Sequence, residues 1–254
     1  MTLAINKYNI GEFTIHQYDE VASTNSLALE LANNKKLLNY DVILANSQSS
    51  GRGRHEKKWS SPRGNLYMSI FIREDINITQ LHHLNFIAIC ALNEAISTIF
   101  QQQKIVARIE NKWPNDLIIN SHKIAGILAE SKLNSNICEY LVIGCGLNII
   151  SNPINTNYPA GNLAQFSCQC SVADVIKLYL SNFSNLYHNW KSFGFKNIRQ
   201  LWINKAFKLN DEIAINFGNE IIHGTFKDID DNGNIILKQD QNIRVINFGE
   251  IIKR

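Results

Sequence analysis

Three segments decide the architecture: IENKWPNDLII (109–119), KIAGILAES (123–131) and EYLVIGCGLNI (139–149). Each is rich in aliphatic and β-branched residues, and the spacers SH (121–122) and NSN (134–136) have turn character. Connections this short favour antiparallel neighbours, so the stretch predicts three strands in one antiparallel unit. The proline at 114 fixes a bend inside the first of them.

Working outward, residues 12–18 predict a short strand. VASTNSLALELANN (21–34) has Leu27, Ala28, Leu31 and Ala32 at helical spacing, with Ser23, Thr24 and Asn25 as candidate N-caps. DVILANSQ (41–48) predicts a near-continuous apolar strand, and GNLYMSIFI (64–72) an alternating one. Residues 80–102 predict an amphipathic helix. So do residues 172–193, with Gly194 as the stop. After Ala206 the texture changes to short strands separated by GN, DDNG and DQN, which predict a small barrel. The class is α+β, a mixed, mostly antiparallel sheet covered by helices, with domains at 1–206 and 207–254.

Composition narrows the function. The 254 residues carry a net charge of only +3, too little for a dedicated nucleic-acid binder. The N-terminus lacks the pattern of a signal peptide, and no apolar run reaches the roughly 18 residues of a membrane helix. The five cysteines are odd in number and form no CxxC pair. Neither a disulfide framework nor a zinc site is expected, which suits a cytoplasmic protein.

Against that modest charge, QSSGRGRHEKKW (48–59) concentrates two arginines, two lysines and a histidine around two glycines. It lies in about 15 residues without periodicity, and loops of that length are usually functional or disordered. Neither a P-loop nor a Rossmann fingerprint fits it. Gly51 and Gly53 let the backbone approach a ligand, and in an extended chain Arg52 and Arg54 would project to one side. A solvated basic turn, a nucleic-acid loop and a polyphosphate clamp all remain open on these residues alone.

Taken in order, STN (23–25), Gln48 with GRGR (51–54), KWPND (112–116), KIAGIL (123–128), GCGLN (144–148) and the small C-terminal barrel resemble the biotin protein ligases over nearly the whole chain. The resemblance implies a catalytic fold like that of class II aminoacyl-tRNA synthetases and biotin ligases, followed by an SH3-like β-barrel. It implies an ATP-dependent enzyme that makes biotinyl-5'-AMP and passes biotin to a lysine of a biotin carboxyl carrier protein or carrier domain. Only 22 residues precede Ser23, so the expectation is the monofunctional form with no specific DNA partner, no membrane partner, and a monomer or weak homodimer. Lipoate–protein ligase chemistry is the nearest alternative, and a non-catalytic nucleic-acid module the more distant one.

The resemblance also implies roles. Lys123 touches biotin's carboxylate and the α-phosphate. Ser23, Thr24, Asn25, Gln48, Arg52, Gly53 and Arg54 join it around biotin, while Arg52, Arg54, Lys57, Trp59, Lys112, Asn115 and Asn148 serve ATP. Asp116 deprotonates the incoming lysine, or else holds Lys112 or a metal-bound water. Mg2+ is implied by the ATP chemistry, without an evident ligand cluster. The loop departs from the family's commoner GRGRRGRxW at His55, Glu56 and Lys57, which puts its ordering and ATP affinity in question. Cys145 stands where a β-branched residue is common.

Overall fold

The computed structural model describes residues 3–252 apart from 136, 155 and 157. Asn136 of the expected NSN turn therefore lies outside the described residues, as do the first two and last two residues of the expected domains.

Nine strands form the main sheet. They are β1 (Asn6–Ile10), β2 (Phe13–Val21), β3 (Asp41–Gln48), β4 (Leu66–Ile72), β5 (Ile76–Asn77), β6 (Ile109–Lys112), β7 (Asp116–Ile119), β8 (His122–Asn134) and β9 (Ile137–Leu147). Their order is β1-β2-β3-β4-β9-β8-β7-β6, with β5 on β9. All pairs are antiparallel except β2–β3, whose connection runs through helix α1 (Thr24–Asn33). Ser23 caps α1 by accepting from the Ser26 amide at 3.4 Å.

The two faces of the sheet carry different loads. On one, α1 packs Ala28, Leu31 and Ala32 against Ile43, Phe71, Tyr140 and Val142. On the other lie α2 (Leu81–Gln102), α3 (Val172–Phe193) and α4 (Lys196–Ile203) over the main core. A capping box between Ser171 and Asp174 starts α3, and Gly194 ends it.

Four expectations need correction. The segment 109–119 is not one strand: the chain turns back at the cis Trp113–Pro114 bond, and Lys112 pairs with Asp116. Strand β4 does not alternate between core and solvent, because all seven of its residues are buried, Leu66, Met68, Ile70 and Ile72 in the main core and Phe71 under α1. Helix α2 is not simply amphipathic either. By length and composition the span Ile78–Gln102 could cross a membrane, but 78% of its most apolar window is buried, because the sheet covers one side and α3 and α4 the other. Finally, α4 was not anticipated; at eight residues it is shorter than the window of about 11–18 residues over which a helical period is read.

The C-terminal unit is a five-stranded antiparallel sheet of β10 (Glu212–Phe217), β11 (Glu220–Ile229), β12 (Ile235–Gln239), β13 (Asn242–Ile246) and β14 (Glu250–Ile252). Its order β13-β12-β11-β10-β14 is consistent with an SH3-like barrel. It docks through the β11–β12 turn. Trp113 Nε1 donates to the Gly233 carbonyl at 3.0 Å, and His83 Nε2 lies 2.8 Å from the Asp231 carbonyl. Trp190 Nε1 donates to His83 Nδ1 at 3.1 Å, so the imidazole is neutral with its proton on Nε2. Beneath this seam the fully buried Trp202 bridges Phe86 of α2 and Phe226 of β11.

Trp202→Ala is expected to cost about 3–5 kcal/mol of stability. It should loosen the C-terminal unit first, seen as a lower urea midpoint with faster amide exchange over β11 than over β4.

Candidate active site

The site begins with missing side chains. Register places Gly126 opposite Gly146 and Leu128 opposite Gly144, with Tyr67 and Ser69 of β4 alongside. These positions share the face that α1 covers further along, but the three glycines leave the sheet bare. A Cβ on Gly146 would stand 2.6 Å from the Trp59 indole and one on Gly126 3.3 Å from it; one on Gly144 would strike the Asn25 amide. Trp59 and Asn25 thus lie directly on the backbone. The resulting cavity holds about 430 Å³ and is roofed by the 48–60 loop.

At one end stands the N-terminus of α1. Gln48 Oε1 accepts from the Thr24 amide at 2.8 Å, and Gln48 Nε2 donates to Ser61 Oγ at 2.8 Å. Ser69 Oγ lies 2.8 Å from Thr24 Oγ1 and 2.6 Å from Asn25 Oδ1. At the other end Lys123 Nζ meets Asp116 Oδ1 at 2.7 Å and lies 5.6 Å from the centroid of the Trp59 ring. Asn148 donates Nδ2 to the Gly161 carbonyl at 2.9 Å, leaving Oδ1 buried without a partner.

The loop is folded rather than extended. Gly53 N donates to the Lys57 carbonyl at 2.7 Å, and Lys57 N to the Arg54 carbonyl at 3.1 Å. This tight turn separates Arg52 from Arg54, which were expected on one side. Arg52 reaches Glu130 at 2.6 Å, while Arg54 Nη1 lies 3.4 Å from Asn115 Oδ1 and 3.5 Å from the Gly249 carbonyl. Lys57 pairs with Glu250. Burial pushes the Arg54 guanidinium below its usual range, opposed by Asp116 and Glu250. Burial would raise the Glu250 carboxyl, but Lys57 with Lys112 and Lys123 together outweigh it and leave Glu250 below its usual range. His55 and Glu56 sit at φ 53° and 59°, the left-handed region glycine favours, and Glu56 stands where the resembled motif has glycine.

All the expected residues except Lys112 line this cavity. Lys112 is 1% exposed beneath the Tyr158 ring, its Nζ 3.8 Å from the centroid. Burial pulls its pKa down to about 8, against the attraction of Asp116. Cys145 faces the core, where burial raises its thiol to about 12. Cys168 and Cys170 lie 3.7 Å apart as free thiols. Sequence reasoning missed Ser69, Glu130, Tyr158, Gly249 and Glu250. Ser69 and Glu130 lay inside quoted strand segments without a mark of function; the last two come from the C-terminal unit, which no spacing rule connects to the loop.

Comparison with known proteins covers both units of the chain. Residues 19–148 match the biotin/lipoate A/B protein ligase family, and residues 208–254 match the biotin protein ligase C terminal domain. The chain is 30% identical to the biotin–[acetyl-CoA-carboxylase] ligase of Paracoccus denitrificans, over 90% of this chain and 96% of that one. It is 29% identical to the bifunctional ligase/repressor BirA of Bacillus subtilis, over 95% and 74%. The fold matches biotin protein ligase from Aquifex aeolicus in complex with biotin and ATP, with a TM-score of 0.78 at 24% identity, covering 93% and 97%. It also matches the Leishmania major biotin protein ligase with biotinyl-5-AMP, with a TM-score of 0.63 at 22% identity, over 92% and 98%.

Lys112 supplies a pH test. With its folded pKa near 8 and its ordinary value at 10.5, the unfolded chain holds a proton there that the folded chain has released. Stability from this group therefore rises as pH climbs from about 8 to 10.5. Lys112→Met should remove that rise, so its advantage over the parent in urea denaturation is largest at pH 7 and shrinks by pH 10.

Proposed function

The chain belongs to the biotin/lipoate A/B protein ligase family and is a biotin protein ligase, and on that premise we propose how its own residues carry the reaction and which acceptor it serves. Biotin's carboxylate attacks the α-phosphate of ATP, giving biotinyl-5'-AMP and pyrophosphate. A lysine amine of the carrier then attacks the mixed anhydride and AMP leaves. The acceptor in this reading is the biotin carboxyl carrier protein of acetyl-CoA carboxylase or a related carboxylase.

The observation that carries the reading is the Lys123 ammonium, held by Asp116 and lining the same cavity as Thr24 and Gln48. The first step brings two anions together, and two unit charges about 4 Å apart repel by roughly 4 kcal/mol at an effective dielectric near 20. A cation fixed at the crossing point offsets that repulsion most as charge builds in the transition state. Asp116 holds the Lys123 ammonium at 2.7 Å, so no side chain has to be immobilised during the reaction. When the carrier lysine arrives as an ammonium it cannot attack. Asp116, 5% exposed and facing the cavity, is the carboxylate we assign to accept its proton.

Recognition follows from the free valences. Biotin's ureido ring offers two N–H donors and one carbonyl. Thr24 Oγ1, Ser23 Oγ and Gln48 face that end of the cavity. At the other end Asn148 Oδ1 is an unpaired acceptor suited to the adenine amino group, and Trp59 offers a flat ring. Arg54 and Lys57 hang over the phosphate path. Lys112 acts on ATP through the local field rather than by contact, since its ammonium is under Tyr158. Among the described residues no three His, Cys, Asp or Glu side chains converge as a metal cage. Mg2+ in this reading enters with ATP, its usual mode, and Asp116 and Glu250 are carboxylates that face the cavity. We place the domain division at residues 206/207, with Glu250 and Gly249 bringing the second unit to the site.

Purified protein is expected to exchange labelled pyrophosphate into ATP only when biotin is present. Exchange supported equally by lipoate would overturn the substrate assignment. Lys123→Ala should lower biotin adenylation by about 1000-fold while circular dichroism and the urea midpoint hold. Lys123→Arg should rescue poorly, because a planar fork replaces a compact ammonium. Parent-like exchange in Lys123→Ala would reduce this lysine to a structural partner of Asp116.

A further inference from the structure

Arg52 at the start of the loop and Asn25 in the first turn of α1 meet on a single oxygen. Glu130 Oε2 accepts from Arg52 Nη2 at 2.6 Å and from Asn25 Nδ2 at 2.8 Å. Glu130 stands two residues beyond Leu128 on β8, so it shares the face of the glycine hollow, but it does not line the cavity. Whatever it does there, it does through its partners.

Those partners form a directed chain. Asn25 gives its second Nδ2 hydrogen to the Leu128 carbonyl at 3.0 Å, so both its donors are spent and Oδ1 can only accept. Ser69 Oγ, 2.6 Å from that Oδ1, has one proton and gives it there. The 2.8 Å contact between Ser69 and Thr24 is then donated by Thr24. Thr24 Oγ1 is left with lone pairs, as a ligand N–H requires. Beyond Thr24, Gln48 Oε1 accepts the Thr24 amide, Gln48 Nε2 donates to Ser61, and Ser61 Oγ donates to the Trp59 carbonyl at 3.0 Å. Arg52 and Trp59, where this chain begins and ends, are the two shoulders of one loop.

We propose that Glu130 is a positioning residue that couples closure of the 48–59 loop to the donor–acceptor polarity of the wall facing biotin. The proposal rests on the biotin-ligase reading of the cavity for its kinetic consequences, but its structural half does not need a ligand. The carboxylate, an acceptor with full charge, holds Arg52 down and keeps the Asn25 amide turned so that Thr24 presents an acceptor.

Two substitutions separate these effects. Glu130→Gln keeps an oxygen for Asn25 and removes the charge that holds Arg52. In the full chain without ligand it should speed amide exchange across residues 51–59. With ligand it should raise the dissociation rate of biotinyl-AMP about fivefold, leaving the KM for biotin nearly unchanged. Glu130→Ala removes both contacts and should raise the KM for biotin as well, with a smaller change in kcat. Arg52→Gln should reproduce the loop effects of Glu130→Gln, and the double variant should be no worse than either single one. Parent-like loop exchange in Glu130→Gln, or effects of the two single substitutions that simply add, would overturn the proposal. If Glu130→Ala does not fold, Glu130→Gln and Arg52→Gln still decide it. A parent without biotin-dependent exchange would sink the substrate reading instead, while loop exchange would still report on Glu130.

Discussion

What the cavity can hold depends on three adjacent positions with no side chain. Gly126, Gly144 and Gly146 meet across β8 and β9, and any Cβ there would collide with or press on Trp59 or Asn25. Because strands alternate, the same registers that bury Ile127 and Ile143 in the main core must turn these positions toward the loop. The hollow is therefore cut by register and by the missing side chains, beside a bulge in the β7–β8 pairing between Leu117 and Ile118. The strands paired on either side of β8 and β9 hold the site in place, which is what an electrostatic catalyst needs from its scaffold.

Around that hollow three cations meet carboxylates, while Arg54 meets the Asn115 and Gly249 oxygens instead. Lys123 has Asp116, Arg52 has Glu130 and Lys57 has Glu250. Two of the pairs, Arg52–Glu130 and Lys57–Glu250, tie the cation-rich loop to the rest of the fold. Each carboxylate comes from a different part of the chain, on β7, β8 and β14. The loop is thus sensitive to the docking of the C-terminal unit, held in turn by Trp113, His83 and the buried Trp202.

Much of this is legible in the amino-acid sequence. The strands at 41–48 and 139–149, the helix at 172–193 and the late small sheet follow from period and punctuation, because each buries one consistent pattern. The motifs carrying Thr24, Gln48, Arg54, Asp116, Lys123 and Asn148 do converge on one cavity. The misreadings share a cause: local pattern does not report what covers an element. Strand β4 and helix α2 read as having a solvent face, and both are enclosed by partners distant in sequence. The turn at Trp113–Pro114 reads as a bend but not as a hairpin, since nothing local declares that Lys112 must pair with Asp116. Glu130 and Glu250 escape notice because a lone carboxylate in a strand looks like solvated surface until its cation is known.

The turn at His55 and Glu56 changes the character of the loop. Two consecutive residues with side chains occupy left-handed backbone, and each costs roughly 1–2 kcal/mol relative to a right-handed residue, a cost glycine would avoid. The closed loop thus relies on the part-exposed pairs Arg52–Glu130 and Lys57–Glu250 as well as on the backbone hydrogen bonds of its turn. Such attractions fade over a screening length of about 8 Å at physiological ionic strength, and over less in stronger salt. A saltier medium is consequently expected to loosen the closed loop, and with it the lid over the cavity.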